Sequence, residues 1–249
     1  MIYVYAITDR PEAPLPRQLG LQDAELARIA WCDVAAIVSA FDGTRPSETA
    51  DEVWRHEEVV EELMNDRAVL PARFGTLSPS RQHVGAMLRR ANRVLVQDIE
   101  RVRGQVEIGI RFLSATEDDA QDDHPATSFG ASVPTGAGPG SIYLRARLAR
   151  EQALRNRRQA KLLLVHDVYQ QLASRANASR LDDESDSRNG ASAAFLVRPD
   201  EMGTFRDLVS EAVKAHPELA ILCTGPWPPY SFVSAGTDAA SWRAKRHAT

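Results

Sequence analysis

Cysteine is nearly absent from this sequence. Cys32 and Cys223 are the only two in 249 residues, too few and too far apart for the disulfide framework of a small secreted domain. Each stands in an apolar run, which predicts two buried thiols in a reducing compartment. The six histidines, His56, His83, His124, His166, His216 and His247, show no paired ligand spacing, so the sequence offers no metal site. It also lacks a Walker-type Gly-Lys-Ser/Thr run and a Gly-x-Gly-x-x-Gly turn, and Gly136 to Gly140 includes Pro139, which removes an amide donor. That stretch reads as linker rather than phosphate cradle. No Ser-His-Asp or Cys-His context is visible, so no catalytic residue is nominated and neither enzyme activity nor a cofactor is expected. No apolar run approaches the ~20 residues needed to cross a bilayer, and Met1 to Ile7 lacks the basic start of a signal peptide, which together predict a cytoplasmic protein with no lipid-membrane partner. A net charge of -4 and a pI near 5.9 argue against nucleic acid as principal partner.

What is present is ordinary for a globular chain, with 43% apolar and 26% charged residues at a length where one core often gives way to two. Ile2 to Ile7 and Val34 to Val38 read as strands. Asp51 to Asp66 reads as an amphipathic helix with Val53, Val60, Leu63 and Met64 inward and Glu57, Glu58, Glu61 and Glu62 forming a solvated face. Ala68 to Thr76 follows as a strand whose Pro71 marks an edge, a bulge or the strand's end. Ser78 and Pro79 supply a helix cap, and Val84, Met87, Leu88, Leu95, Ile99 and Val102 keep one face apolar until Gly104. Val106 to Leu113 alternates as a half-exposed strand should.

Composition then shifts. Glu117, Asp118, Asp119, Asp122 and Asp123 lead into a Gly/Pro/Ser/Thr/Ala stretch, the best linker or disordered-loop candidate. Beyond it Ser141 to Arg180 predicts one long helix or two contiguous ones, with Leu148, Leu162, Val165, Tyr169 and Leu172 as core candidates. After a polar segment at 182–190, Ala193 to Val197 reads as a strand, Asp200 to Ala215 as a helix and Leu219 to Cys223 as the last strand. The expected organisation is α+β: an N-terminal domain over 1–114, a linker over 115–140 and a C-terminal domain over 141–249. Each would be a small ferredoxin-like or modified ferredoxin-like sheet with helices on one face.

Three features invite functional readings. Arg145, Arg147, Arg150, Arg155, Arg157, Arg158 and Lys161 make a basic helix with Glu151 as its only acid. It suits an RNA-binding or protein-binding adaptor, although no aromatic RNA-reading motif accompanies it. His56, on the apolar face of its helix, and Arg73, on an apolar strand, predict structural roles: a hydrogen-bonded core histidine and a cation paired with a buried acid. Finally, Gly225-Pro226-Trp227-Pro228-Pro229-Tyr230-Ser231-Phe232 is a stiff aromatic hook. It is either a strut packed over its own domain or across the domain boundary, or a pre-organised contact surface.

Tyr3-Val4-Tyr5-Ala6-Ile7, His56-Glu57-x-Val59-Val60-Glu61, Val69-Leu70-Pro71-Ala72-Arg73-Phe74-Gly75-Thr76, Gly140-x-x-Tyr143-Leu144 and the hook together resemble the gas vesicle protein L/F family (GvpL/GvpF), in the family's order and over nearly the whole chain. The resemblance implies a non-enzymatic accessory or minor shell-associated protein of gas vesicles, the rigid gas-filled shells that confer buoyancy. It further implies, as partners, the hydrophobic major shell protein and other gas vesicle accessory proteins. Trp227, Pro228, Pro229 and Tyr230 are the candidate partner contacts.

Overall fold

The computed structural model describes residues 1–114, 139–182 and 190–234. The expected linker falls almost wholly outside them, as does most of the polar 182–190 segment. The chain is α+β with two antiparallel sheets. The first joins β1 (Ile2–Thr8), β2 (Leu26–Trp31), β3 (Val34–Ala40) and β4 (Val69–Pro71) in the order β2-β3-β1-β4, with β5 (Leu77–Ser78) also on β1. The second joins β6 (Val106–Ser114), β7 (Ala178–Asp182), β8 (Ala191–Val197) and β9 (Leu219–Trp227) in the order β7-β8-β6-β9.

Four helices cover these sheets. Helix α1 (Ala50–Met64) is capped by the Thr49 hydroxyl, which accepts from the Glu52 amide. Helix α2 (Arg81–Val102) is capped by Ser80, which accepts from the His83 amide, and not by Ser78, which is spent in β5. Helices α3 (Pro139–Ala173) and α4 (Met202–Ala215) both lie on one face of the second sheet, over Ile108, Ile110, Phe112, Phe195 and Val197.

The first sheet departs from the one-faced expectation. Tyr3, Tyr5 and Ile37 pack with Val59, Val60 and Leu63 of α1. Val4, Ile7, Val34, Ala36 and Val38 face the other way, onto Val84, Met87, Leu88 and Leu95 of α2. Helices therefore cover both faces, and the sequence reason is that β1 and β3 are continuous apolar runs with no polar face to offer water. A register shift between Val4 and Ala6 sets Tyr5 and Ala6, consecutive residues, in the same α1-side cluster. An extra residue in one strand of a pair has this effect of re-aiming a side chain.

The sequence reading set a boundary after residue 114. It placed Val106–Ser114 with the first unit, whereas β6 pairs along its length with β8 and β9. The abrupt change in composition at residue 115 thus falls between β6 and α3, inside the second sheet's chain path. The outer halves of the molecule meet through shared core, because Ala194, Leu196 and Phe232 join the cluster built around α2. No helix among the described residues is long and apolar enough to cross a membrane.

Smaller differences have local causes. The turn between β2 and β3 puts Cys32 at φ 49° on the surface, and Cys223 is half-buried, so neither expected buried thiol is fully enclosed. Strand β2 carries little sequence signal, since its Arg-bearing run lacks a clean alternation. Helix α3 stops at Ala173 and the chain turns into β7, so the helix predicted to Arg180 is shorter. Its predicted core residues divide: Val165 and Leu172 are buried and Tyr169 packs beside them, whereas Leu148 and Leu162 are exposed.

Candidate functional site

Residues 225–234 hold the sequence's most distinctive segment, and the structure runs them as a strap across the seam between the two sheets. The strap begins with a bulge. Glu107 pairs with Trp227 and Gly109 with Thr224, so β9 carries one more residue than β6 between those pairs. Gly225 sits there at φ +111°, and a Cβ added to it would lie 2.8 Å from the Glu107 carbonyl oxygen, so only glycine fits without strain. Pro228 and Pro229 are buried and carry the chain into a short helical turn, Tyr230–Phe232.

Three carboxylates anchor that turn and the residues after it. The Tyr230 hydroxyl donates to Glu57 Oε1 at 2.8 Å. Ser231 donates twice to Glu107, from its amide at 2.8 Å and its hydroxyl at 2.7 Å. Ser234 repeats the pattern on Asp98 at 2.8 and 2.9 Å, and Asp98 also pairs with Arg101. Between these anchors Phe232 plugs the core around α2. Burial pushes the Glu57 and Glu107 carboxyls above the usual carboxylate range, while the hydrogen bonds from Tyr230 and Ser231 pull the other way. The alternation of β6 puts Glu107 on the solvent face of its strand. The face is polar, but the strap covers it.

The Tyr230 end of the strap meets a buried polar chain. His56 is fully buried, with Nε2 3.0 Å from the Ala72 carbonyl and Nδ1 3.0 Å from the Tyr3 hydroxyl. A carbonyl only accepts, so Nε2 carries the proton and Nδ1 accepts from Tyr3. The Tyr3 oxygen in turn accepts from the Gly75 amide at 3.1 Å. Every polar atom on this path has a partner with the imidazole neutral, and burial lowers its pKa to about 4. Tyr5 stacks on the ring at 5.6 Å between centroids, and the Tyr230 hydroxyl stands 3.3 Å from Nε2. His56 is thus the hydrogen-bonded core histidine that its place on the helix predicts. Arg73 is not the buried ion pair predicted beside it: it is exposed, and among the described residues it makes no salt bridge. It lines a cleft of about 400 Å³ with Arg111, Arg180 and the strap's Ser231. The strand that would have enclosed Arg73 ends at Pro71, leaving it in a loop.

Of the four candidate contact residues, Pro228, Pro229 and Tyr230 therefore face inward and one, Trp227, faces outward at 46% exposure. It stands at the end of β9, an edge strand whose Leu222 is also exposed. The basic helix residues Arg145 to Lys161 lie on the first part of α3 and are brought nowhere near the strap's carboxylates by any described contact. Among the described residues no group of three or more His, Cys, Asp or Glu side chains is placed to hold a metal ion.

Comparison with known proteins gives one consistent picture. A family model described as gas vesicle synthesis protein GvpL/GvpF matches residues 1–234. Gas vesicle protein F1 of Halobacterium salinarum is 26% identical over 236 residues, covering 93% of this chain and 92% of that protein. Gas vesicle protein L of a Streptomyces species is 26% identical over 253 residues, covering 92% and 91%. The crystal structure of gas vesicle protein GvpF from Anabaena sp. PCC7120 matches with a TM-score of 0.68 at 18% identity, over 94% of this chain and 95% of that one. That from Microcystis aeruginosa matches at 0.65 and 19%, over 94% and 98%. At these identities the structural likeness speaks for the fold, a mixture of helices with two antiparallel sheets.

Proposed function

Because this chain belongs to the gas vesicle synthesis protein GvpL/GvpF family, whose membership implies a role in gas vesicle formation, we propose that it acts there without catalysis, in the cytoplasm and at the vesicle, by binding the hydrophobic major shell protein. The observation that carries this reading is Trp227. A large ring left 46% exposed at the end of an edge strand, on a backbone fixed by buried Pro228 and Pro229, loses little entropy when a partner covers it. Leu222, exposed on the same strand, extends the apolar surface. Pro228, Pro229 and Tyr230 then serve the contact indirectly, by stiffening the strap that presents Trp227. An edge strand also has unpaired backbone groups to offer an extended segment of the partner.

The test is co-purification of the tagged chain with the major shell protein, comparing the parent with Trp227→Ala and with Trp227→Ala/Leu222→Ser. Retention is expected to fall at least about tenfold in the double variant, as for a central aromatic contact, while thermal melting stays unchanged. Undiminished retention by a folded double variant places the contact elsewhere.

For the architecture, the proposal is that the second sheet is a ferredoxin-like unit beginning at β6. The succession β6-α3-β7-β8-α4-β9 and the order β7-β8-β6-β9 support it. The first sheet repeats that spatial order with a loop where the first crossover helix would be.

A further inference from the structure

Two helices carry surfaces that no other described residue covers. On α1 the residues opposite the buried His56, Val59, Val60 and Leu63 are exposed: Asp51, Trp54, Glu58, Glu61 and Glu62. Trp54 is 66% exposed, at the centre of this acidic stripe. Among the described residues none of Glu58, Glu61 and Glu62 forms a salt bridge. An exposed Trp ringed by carboxylates fits a segment that brings arginines, which gain both ion pairs and a place over the ring.

The first part of α3 has the complementary character. Val165, Val168 and Leu172 bury one face of this helix in the second core. The same face continues upstream at helical spacing as Tyr143, Arg147, Leu154, Arg158 and Lys161, where the core has ended and the helix is exposed on nearly every side. Arg147 pairs with Glu151 at 3.3 Å, while Arg157 and Lys161, four apart, repel. A helix this exposed, cationic and partly apolar gains little from its own side chains and is stabilised by whatever neutralises it.

We infer that the basic arm of α3 docks on the acidic, Trp54-centred stripe of α1 in a second copy of this chain. The charges are opposite, and both stripes carry an exposed aromatic at their heptad-like spacing. The stripe runs about 17 Å from Asp51 to Glu62 and so covers part of the arm's length, about 27 Å from Tyr143 to Lys161 at 1.5 Å per residue. Within one chain they do not meet, because α1 covers the first sheet on the side away from α2, while α3 covers the second sheet's opposite side. Each copy has one arm and one stripe, so the contact closes reciprocally into a two-fold pair or adds copies in a row or ring. Nucleic acid is the competing occupant of a basic arm, but it leaves the acidic stripe and its Trp unexplained.

The experiment is sedimentation of the nuclease-treated full chain over a concentration series, at about 50 mM and about 500 mM salt. Mass above one chain at low salt that dissociates at high salt is expected, with a blue shift of Trp fluorescence on association that Trp54→Ala removes. Two variants then separate the surfaces: Glu58→Gln/Glu61→Gln/Glu62→Gln neutralises the stripe, and Arg157→Gln/Arg158→Gln/Lys161→Gln neutralises the arm. Each alone is expected to stay a single chain with parental thermal melting. Mixed together they are expected to give a two-chain species and nothing larger, since one intact arm meets one intact stripe. A parent that remains a single chain at low salt, a mixture no heavier than its components, or association abolished by nuclease would each overturn the assignment. None of these outcomes depends on binding to the shell protein.

Discussion

Acidification is a direct probe of the buried polar chain at His56. In the folded protein the imidazole is neutral and protonates only near pH 4, whereas in the unfolded chain it protonates near its ordinary value of about 6.5. The depressed folded value means that the unfolded state takes up the proton first. His56 therefore contributes no penalty above about pH 6.5, and its stabilising effect is lost progressively as pH falls from there toward 4. A gap of about 2.5 units at 1.36 kcal/mol each amounts to about 3 kcal/mol, most of it already felt at about pH 4.5. Glu57 and Glu107 act in the opposite sense. Their raised values mean that the folded state holds their protons more readily, so they favour folding as pH falls through their raised range. Comparing the parent with His56→Gln isolates the imidazole, because Gln keeps a donor and an acceptor without titrating. In urea unfolding across this range, the variant is expected to be less stable by about 1–3 kcal/mol at neutral pH, from its poorer hydrogen bonds. The two curves should then converge by about 3 kcal/mol on acidification. Parallel curves, or an NMR titration of His56 centred near 6.5, would refute a neutral imidazole locked between Tyr3 and Ala72.

Two further substitutions probe the strap. Phe232→Ala removes a buried ring from the core around α2 and is expected to cost about 3–5 kcal/mol, read as a lower urea midpoint. Gly225→Ala places a Cβ against the Glu107 carbonyl at a positive φ and is expected to cost more than about 1 kcal/mol, with a smaller loss on replacement by D-Ala in a semisynthetic chain.

Much of this fold is legible in the residues. The 3.6 period of Asp51 to Asp66 and of Val84 to Val102 predicts α1 and α2, and the break at Gly104 is confirmed by its φ of +66°. The alternation of Val106 to Phe112 gives β6 correctly as a strand. What its sequence does not carry is the identity of its neighbours, because backbone pairing across a sheet is decided by tertiary packing rather than by local pattern. The same limit explains the first sheet: apolar residues on both sides of β1 say that both faces are buried, not by which helices. At the hook, three prolines and three rings predict a stiff segment, and the structure buries Pro228, Pro229 and the Phe232 ring, half-buries Tyr230 and leaves Trp227 exposed. The Tyr230 hydroxyl is held by Glu57 and the neighbouring Ser231 by Glu107, two acids distant in sequence that look solvated by local pattern. An acid at a nominally exposed position beside a Ser- and Tyr-containing tail is the signal that could have raised the question.

The interleaving of the two halves bears on how the protein comes off the ribosome. Strand β6 is made early, yet both of its partners, β8 and β9, come from residues 191–227, and the cluster around α2 receives Phe232 only near the end of the described chain. A nascent chain released through α2 therefore has an unsealed apolar surface and an unmatched strand until translation is nearly finished. Premature termination anywhere before Phe232 would yield a sticky fragment rather than a smaller working protein. Expression of isolated halves cut between β6 and α3 would divide the second sheet and should give aggregates, whatever each half does in the intact molecule.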